Sequence, residues 1–293
     1  MQNGNETSPR HCRFLNEDYF QKLYDAFTEA FSDYVVPFAL TEAQFRNHIN
    51  LTGVDLGRTV GYIDGDRLVG FSLNGFGMWK GRSTVYDAGT GVIPDFRRQG
   101  VSMSMFELML PIFKGDGIEQ CLLEVVSTNT GAISLYEKLG FDSIRELALL
   151  QCDRKLHLSA EMPQNVEIRD MEIPDWELFR TFWDGDPSWQ NSADAVERSR
   201  KIKRILGAYS DGKCVGYIVF SSKFGRAAQL AVDRDHRHRG IGSALVRAMQ
   251  AETAEGFSMQ VINIDKSLTT AMNFLKNRGF YERLSQHEML KPT

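Results

Sequence analysis

The sequence predicts an α/β protein of two tandem domains, each with a mixed, mostly antiparallel central sheet flanked by helices. Three observations lead to this fold class. The chain has 293 residues, which is long enough for two domains of ordinary size. Apolar residues make up 42% and charged residues 25% of the chain, as in globular proteins. The same succession of predicted elements occurs twice along the chain: a hairpin, a strand, a basic turn, a helix, a strand and a helix.

Each repeat begins with a predicted β-hairpin. Residues 59–75 are TVGYIDGDRLVGFSLNG and residues 205–222 are ILGAYSDGKCVGYIVFSS, and in both the apolar residues alternate around an Asp-Gly pair. An Asp-Gly pair between β-rich segments favours a tight hairpin turn. A further short strand is predicted after each hairpin, at STVYDAGTGVI (83–93) and AAQLAV (227–232).

A helix is predicted after the basic turn of each repeat. In the second repeat the apolar residues recur at helical spacing on one face. The first repeat has a similar face from Val101 to Ile112, and Pro111 is expected to kink or end that helix. Each repeat then continues with a strand and a last helix that stops at a Gly-Phe pair, since glycine just past a final turn is a common helix stop.

The two repeats can be placed in register. Arg97 and Arg237 hold the same position, and near the end of each repeat so do Gly140 and Gly279. A repeat of this length indicates duplicated domains rather than a solenoid. We therefore predict an N-terminal domain at 1–155 and a C-terminal domain at 166–293, with the boundary in the polar stretch DRKLHLSAEMPQN (153–165).

Charge and composition disfavour several classes of protein. The net charge of −4 argues against a general nucleic-acid role, and no apolar run approaches the length needed to span a bilayer. The N-terminal residues have no hydrophobic segment like that of a secretion signal. The four cysteines are far apart and form no C-x-x-C pair, which disfavours a disulfide framework or a metal site. We therefore expect a cytoplasmic protein with no metal, no nucleic-acid partner and no membrane partner; the oligomeric state stays open.

The basic turns are DFRRQGVS (95–102) and DHRHRGIG (235–242). A strand that leads through a glycine turn into a helix presents unpaired N–H groups in one direction, and with the helix dipole they form a phosphate site. Arginines beside the turn can add charge-assisted hydrogen bonds. A single copy could be a solvated loop that starts a helix, but two copies in the same context favour anion binding. Neither copy supplies the G-x-G-x-x-G of a dinucleotide site.

These turns carry a family resemblance. GVIPDFRRQGVS (91–102) with LLEVVSTNTGAISLYEKLGF (122–141), and LAVDRDHRHRGIGSAL (230–245), resemble the GNAT superfamily of N-acetyltransferases. The matched segments cover most of the latter half of each domain. The resemblance implies an acetyl-CoA co-substrate, with its pyrophosphate on the turn and its pantetheine arm along the strand before it. It also implies direct transfer of acetyl to a primary amine of a small molecule or peptide.

The resemblance implies a set of cofactor-binding residues in both domains. In the first domain they are Val92, Ile93, Arg97, Arg98, Gln99, Gly100, Val101, Ser102 and Asn129. In the second domain they are Val232, Arg237, His238, Arg239, Gly240, Ile241 and Gly242.

The two domains differ in the residues that carry chemistry. Family members commonly use a tyrosine of the last helix to protonate the departing thiolate, and Tyr136 has that position where the second domain has Leu275. Asp87 lies where some relatives place a carboxylate base, and its counterpart is Ala227. Ser102, in place of a usual glycine or alanine, is a mild departure. We therefore predict that the first domain is the catalyst, with Tyr136 and Asp87 as its catalytic residues.

Several alternatives stay open for these residues. Tyr136 could be an ordinary tyrosine of an amphipathic helix, and Asp87 a carboxylate at a strand edge. Glu124, in the following strand, is another candidate base. The H-x-H of His236 and His238 has no third ligand nearby, so a basic rim for the phosphates explains it better than a metal does.

The acceptor and the division of labour also stay open. Four acidic residues of the N-terminal region could receive a cationic amine or could form a solvated helix face: Asp18, Glu29, Asp33 and Glu42. Catalysis in the C-terminal domain is one alternative to the predicted function. A non-catalytic CoA sensor or interaction protein is another.

Overall fold

The computed structural model describes residues 10–33, 40–153, 163 and 165–293. These residues form two structural units, unit 1 (Met1–Ile144 with Glu288–Thr293) and unit 2 (Arg145–His287). The limits differ from the sequence-based ones because two strands, described below, leave the repeat in which they are encoded. Most of the predicted boundary stretch 153–165 lies outside the described residues.

Among the described residues, unit 1 has five strands and four α-helices of the first repeat. The strands are β1 (His11–Phe14), β2 (Val60–Asp64), β3 (Arg67–Trp79), β4 (Arg82–Val92) and β5 (Gln120–Val126). The helices are α1 (Phe20–Ala30), α2 (Glu42–Thr52), α3 (Val101–Gly115) and α4 (Thr130–Lys138). The sheet order is β1-β2-β3-β4-β5, and all pairs are antiparallel except β4 with β5, which is parallel.

Unit 2 repeats this plan. Its strands are β6 (Asp142–Cys152), β7 (Val166–Asp170), β8 (Arg204–Ser210), β9 (Lys213–Ser221), β10 (Arg226–Val232), β11 (Met259–Asp265) and the beginning of β12 (Tyr281–Pro292). Its helices are α5 (Trp176–Phe182), α6 (Ala193–Arg198), α7 (Ile241–Glu252) and α8 (Thr269–Lys276). The order is β6-β11-β10-β9-β8-β7, with β10 and β11 as the parallel pair.

Each sheet carries two hydrophobic clusters. In unit 1, one cluster joins α1 and α2 to the sheet through residues such as Phe27 and Phe45, and the other joins α3 and α4 through Phe106 and Tyr136. Unit 2 is built in the same way from α5 with α6 and from α7 with α8. Burial of these apolar helix faces on the sheet is the main source of stability of such layers.

The last strand of each repeat completes the other unit. Strand β6 closes the first repeat in sequence, but Leu150 is fully buried in unit 2 and pairs antiparallel with Val261. Strand β12 closes the second repeat, but Met289 is 1% exposed and packs in the cluster of unit 1 that contains Tyr136. The N–H of Thr293 donates to the carbonyl of Glu119 at 3.1 Å. Unit 1 therefore depends on the last six residues of the chain.

Helix α3 continues past Pro111, whereas the sequence predicts a kink or an end there. Pro111 does not end this helix, which runs to Gly115. Proline removes one backbone hydrogen bond, but Phe113 in the next turn is fully buried, and the N–H of Asp116 still donates to the carbonyl of Ile112 at 2.9 Å. Packing of the last turn outweighs the local cost. Within the described ranges, no helix is both long and apolar enough to cross a bilayer.

Candidate active site

The two basic turns have the same backbone conformation. Arg98 has a φ of 58° and its counterpart His238 a φ of 60°, both left-handed. Gly100 and Gly240 follow with φ values of 79° and 83°. Left-handed backbone is rare for residues with a side chain, so its repetition at Arg98 and His238 indicates a shape that the surrounding fold imposes. Glycine adopts it without strain.

Each turn leads directly into a helix. Gly100 precedes α3 and Gly240 precedes α7. The first backbone bonds of these helices run from Ser104 N to Gly100 O at 2.9 Å and from Ala244 N to Gly240 O at 3.0 Å. The N–H groups of the three residues between have no intrahelical acceptor, because the first turn of a helix lacks one. This arrangement of backbone N–H groups is chemically suited to an anion.

Two predicted cofactor ligands hold the turns in place. Nε of Arg97 donates to the carbonyl of Val92 at 3.1 Å, and its guanidinium binds Asp33 at 2.7 Å. Arg237 donates to the carbonyl at the end of β10 at 3.1 Å and binds Asp184 at 2.8 Å. These arginines hold each turn against the end of α1 or α5, because their guanidiniums also donate to the carbonyls of Ala30 and Phe182 at 3.0 Å.

The other predicted ligands of unit 1 lie at the end of β4, in the turn, and at the starts of α3 and α4. Val92 ends β4, and Ile93 is fully buried behind it. Val101 begins α3 and is buried. The side chain of Gln99 donates to a backbone carbonyl of the turn at 2.8 Å. Asn129 caps α4, accepting from a backbone N–H of its first turn at 3.2 Å.

An opening begins where the parallel strands of unit 1 separate. Strand β4 pairs with β5 from Thr84 to Asp87, whereas β4 continues to Val92 and β5 to Val126. A β-bulge lies next to the point of separation, with Ala88 as the extra residue. The carbonyl of Ala88 is held by Nε2 of His48 at 2.8 Å, and burial lowers the pKa of that histidine. Bulges bend a strand and commonly adjoin active sites.

Asp87 and Tyr136 meet at this opening. The hydroxyl of Tyr136 donates to Oδ2 of Asp87 at 3.2 Å, although the two residues come from different elements of the fold. Tyr136 is 7% exposed, and its ring packs edge-on against Phe106. The two residues predicted to be catalytic therefore form one hydrogen-bonded pair.

The surroundings of Asp87 favour its neutral form. Burial raises the pKa of Asp87 to about 6, and hydrogen bonds from Thr90, from the N–H of Gly89 and from Tyr136 oppose that rise. Oγ1 of Thr90 lies 2.8 Å from Oδ2 and the N–H of Gly89 lies 3.0 Å from Oδ1. A carboxyl with a pKa near neutrality can both accept and release a proton, as acid-base chemistry requires.

Unit 2 contains an open cleft at the equivalent place. Strand β10 pairs with β11 at Arg226 and Ala227 and continues to Val232, with Ala228 as the extra residue of a bulge. The cleft has a volume of about 730 Å³. Six residues predicted to bind the cofactor line it: Val232, Arg237, His238, Gly240, Ile241 and Gly242. Arg239 instead donates to a backbone carbonyl of its own turn at 2.7 Å.

Unit 2 differs from unit 1 at the positions that correspond to Asp87 and Tyr136. Ala227 and Leu275, both buried, replace the carboxylate and the phenol. A polar chain lies nearby, in which Trp183 Nε1 donates to the hydroxyl of Tyr217 at 2.6 Å and that hydroxyl donates to Gln229 Oε1 at 2.6 Å. Trp183 lines the cleft.

The acidic residues of the N-terminal region do not form one site. Glu29 binds Arg67 at 2.7 Å, and Glu42 binds Arg46 on the next turn of α2 at 2.7 Å. Asp33 pairs with Arg97, and Asp18 accepts from a neighbouring asparagine at 3.3 Å. Glu124, the second candidate base, lies on β5 one residue beyond the partner of Asp87.

The H-x-H of the second turn does not assemble a metal site. Nδ1 of His236 lies 2.9 Å from Oδ2 of Asp233, and His238 faces the cleft. In the part of the chain that the structure describes, no group of three or more His, Cys, Asp or Glu side chains is arranged to hold a metal ion.

Both halves of the chain match acetyltransferase families. Residues 16–141 match the model of the Acetyltransferase (GNAT) family, and residues 201–284 match that of the Acetyltransferase (GNAT) domain. The chain is 28% identical over 86 residues to N-alpha-acetyltransferase 30 of Schizosaccharomyces pombe, covering 29% of this chain and 57% of that relative. It is 39% identical over 51 residues to the [ribosomal protein bS18]-alanine N-acetyltransferase of Escherichia coli K12. This match covers 17% of this chain and 34% of that relative. The chain thus spans less than two thirds of either relative.

Solved structures share the fold over nearly the whole chain. A GCN5-related N-acetyltransferase from Sphaerobacter thermophilus superposes with a TM-score of 0.70 at 18% sequence identity. The superposition covers 97% of this chain and 95% of that protein. A tandem GNAT protein from the clavulanic acid biosynthesis pathway has a TM-score of 0.73 at 13% identity, with coverage of 97% and 98%. From these family matches and this fold, the protein belongs to the GNAT superfamily and carries two GNAT domains in tandem.

Proposed function

We propose that the chain is an acetyl-CoA-dependent N-acetyltransferase that acts on a primary amine, with the chemistry in unit 1. The observation that carries this proposal is the hydrogen bond between Tyr136 and Asp87 where β4 and β5 separate. Unit 2 has Ala227 and Leu275 at these positions, and neither side chain can exchange a proton.

The first turn fits a phosphate-bearing co-substrate. A Cβ built on Gly100 would meet no atom within 4 Å, so the backbone of the turn is open to an anion. The N–H groups at the start of α3, together with the exposed Arg98, would hold the pyrophosphate. When bound, acetyl-CoA supplies an activated acetyl thioester and a sulfur that leaves.

Asp87 and Tyr136 can balance the protons of this reaction. The amine must be neutral to attack, and it loses one proton on acylation, while the leaving sulfur gains one. Asp87 can accept the first proton, and Tyr136 holds a proton for the sulfur. Because Tyr136 donates to Asp87, the proton taken up by the carboxylate can restore the phenol. The pair would then return to its initial state in each turnover, with Glu124 as the alternative base.

We propose that the acetyl acceptor is a primary amine of a small molecule or a peptide. One of the two relatives is named as an N-alpha-acetyltransferase, and the other as an N-acetyltransferase of an alanine of ribosomal protein bS18. The amine panel for a turnover assay should therefore include short peptides with free N-termini beside polyamines and amino sugars. Saturable CoA binding without acetyl transfer to any of these amines would favour a binding module over an enzyme.

Blocking one turn at a time identifies the catalytic unit. We expect Ser102→Trp to abolish turnover, because an indole at the start of α3 fills the space where the pyrophosphate approaches the backbone. Steady-state rates with acetyl-CoA and the best amine of the panel would measure this. Loss of turnover in Gly242→Trp, with turnover retained in Ser102→Trp, would place catalysis in unit 2. Circular dichroism would establish that both variants fold.

Asp87→Asn is expected to change the pH dependence of stability. The pKa of Asp87 is about 6 in the folded protein, against an ordinary value of 3.8. The folded state therefore binds this proton more tightly, and the stability it contributes is present below about pH 4 and lost as the pH rises through 6. Asparagine does not titrate, so the variant does not lose this stability. The Tm of the variant minus the Tm of the wild type should therefore increase as the pH rises from about 4 to 6.

Thermal unfolding at several pH values checks this expectation. Asp66→Asn provides the control, because Asp66 is an exposed carboxylate in the hairpin turn. A Tm difference for Asp87→Asn that does not depend on pH would contradict the raised pKa. Turnover of Asp87→Asn should fall about 100-fold, the typical contribution of a positioned acid or base.

A further inference from the structure

We propose that His48 is a positioning residue for Asp87, and that it acts through the peptide group between Ala88 and Gly89. His48 lies on α2 and Asp87 on β4, so the two residues come from different elements of unit 1. This inference rests on the proposed function and deepens it, because it names the group that orients the proposed base.

One peptide group joins the two side chains. Its carbonyl, that of Ala88, accepts from Nε2 of His48 at 2.8 Å, and its N–H, that of Gly89, donates to Oδ1 of Asp87 at 3.0 Å. The carbonyl and the N–H of a trans peptide lie in one plane and point in opposite directions, so a partner that fixes the first also fixes the second. Hydrogen bonds linked in this way also polarise and strengthen one another.

The β-bulge makes this peptide group available. Ala88 is the extra residue of β4, since Asp87 pairs with Asn74 and Gly89 with Leu73. The extra residue of a bulge is left out of the ladder of sheet hydrogen bonds, so its carbonyl needs another donor. The imidazole of His48 is that donor, and it holds the peptide group at the residue that follows the carboxylate.

Helix α2 holds the imidazole on a rigid support. Its first turn is closed by a capping box between Thr41 and Gln44. At its other end, Oγ1 of Thr52 donates to the carbonyl of His48 at 2.7 Å. A Cβ built on Gly75 of β3 would overlap the carbonyl oxygen of Thr52, so the strand packs directly against this end of the helix. Groups mounted on such elements are positioned more precisely than groups on loops.

The imidazole acts here in its neutral form. A carbonyl oxygen only accepts, so Nε2 of His48 carries the proton. Burial lowers the pKa of His48, and the bond to Ala88 opposes that decrease. Nε2 would keep its proton in the charged imidazolium as well. The donor is therefore present throughout the pH range in which Asp87 titrates.

Other groups also face Asp87 from the elements around it. Tyr136 of α4 and Thr90 of β4 donate to Oδ2. On β5, burial raises the pKa of Cys121 to about 12, Lys291 of β12 opposes the rise, and Asp87 adds to it. Substitution of His48 leaves all of these groups in place. A change in the titration of Asp87 in a His48 variant therefore reports the route through the peptide group.

The pH dependence of turnover tests this role. The proposed base must be ionised to accept a proton, so the acidic limb of kcat should have its midpoint at about 6 in the wild type. His48→Leu removes the donor to Ala88 and so weakens the bond from Gly89 to the ionised carboxylate. The pKa of Asp87 should then rise, and the midpoint should move up by about one pH unit. His48→Gln retains an amide donor and should restore the wild-type midpoint.

Asn47→Leu is the matched control for these variants. Asn47 is the exposed neighbour of His48 on α2, so its replacement should leave the midpoint unchanged. A merely structural role of His48 would lower kcat by the same factor at every pH and would not move the midpoint. Circular dichroism establishes folding, and if His48→Leu fails to fold, His48→Phe keeps a ring without the donor.

Carboxyl NMR of the full chain measures the same coupling without turnover. Protein labelled at the aspartate carboxyl carbons gives a titration curve for each aspartate, and the curve that disappears in Asp87→Asn belongs to Asp87. We expect this curve to move to higher pH in His48→Leu and to return in His48→Gln.

Two results would overturn the inference. One is an Asp87 titration that is identical in wild type and His48→Leu, and the other is a titration that is displaced equally in His48→Leu and His48→Gln. The expected displacement without turnover on any amine would instead refute the proposed function and leave the coupling between His48 and Asp87 standing.

Discussion

Tyr136→Phe is expected to lower kcat about 100-fold and to leave the affinity for CoA unchanged. The substitution removes one hydroxyl from a buried helix face and keeps the ring contacts with Phe106 and Phe141. Without the phenol, the leaving sulfur has to take its proton from water. The loss should therefore be largest at alkaline pH, where protons from solvent are scarcest. Steady-state kinetics across the pH range, with calorimetry for CoA, would measure both effects.

The control for this variant is Tyr62→Phe. Tyr62 is a half-buried tyrosine of β2 in the same unit, so the control removes a hydroxyl without touching the pair. The double variant Asp87→Asn with Tyr136→Phe should be little slower than either single variant, because the two groups act as one unit. Independent, additive losses would refute the shared proton path, and an unchanged rate in Tyr136→Phe would exclude its role as the acid.

Met289→Ala is expected to destabilise unit 1 by about 2–5 kcal/mol, although Met289 is encoded at the end of the second repeat. Its side chain is 1% exposed and packs in the cluster that contains Tyr136, Phe141 and Cys121. Truncation leaves a cavity beside the helix that carries the proposed acid. Hydrogen exchange of the amides of α4 and β5, followed by mass spectrometry, would locate the loss of protection.

Pro292→Ala provides the matched control for this effect. Pro292 lies on the same strand but is exposed, so its replacement removes little packing. Faster exchange confined to α7 and α8 in Met289→Ala would contradict the assignment of the last six residues to unit 1.

Local pattern predicts most elements of this fold. The Asp-Gly pairs predict both hairpins, and the glycine turns predict the starts of α3 and α7, because these signals act within a few residues. Local pattern does not predict the partners of β6 and β12. Leu150 and Met289 each lie in a short apolar run near the end of a strand, and this local pattern does not specify which sheet either strand joins. The choice depends on long-range packing, which periodicity does not encode.

For the candidate site too, the sequence predicts individual residues but not the contacts between them. Tyr136 and Asp87 were predicted separately from a family resemblance, and only the folded chain brings their oxygens within 3.2 Å. The sequence predicts Arg97 as a cofactor ligand but does not predict the ion pair that its guanidinium forms with Asp33.

Strands β6 and β12 each contribute to the unit that is formed mainly by the other repeat. Neither repeat can therefore be removed without leaving the other incomplete. A chain cut between the repeats would leave β5 as an open sheet edge and β6 without the strand it pairs with. Unpaired edges invite aggregation. The second repeat therefore cannot be deleted without loss to the first, because the last six residues of the chain belong to unit 1. For the same reason, neither half should be expressed alone, and a stable single-domain version would need the last six residues moved to follow the first repeat.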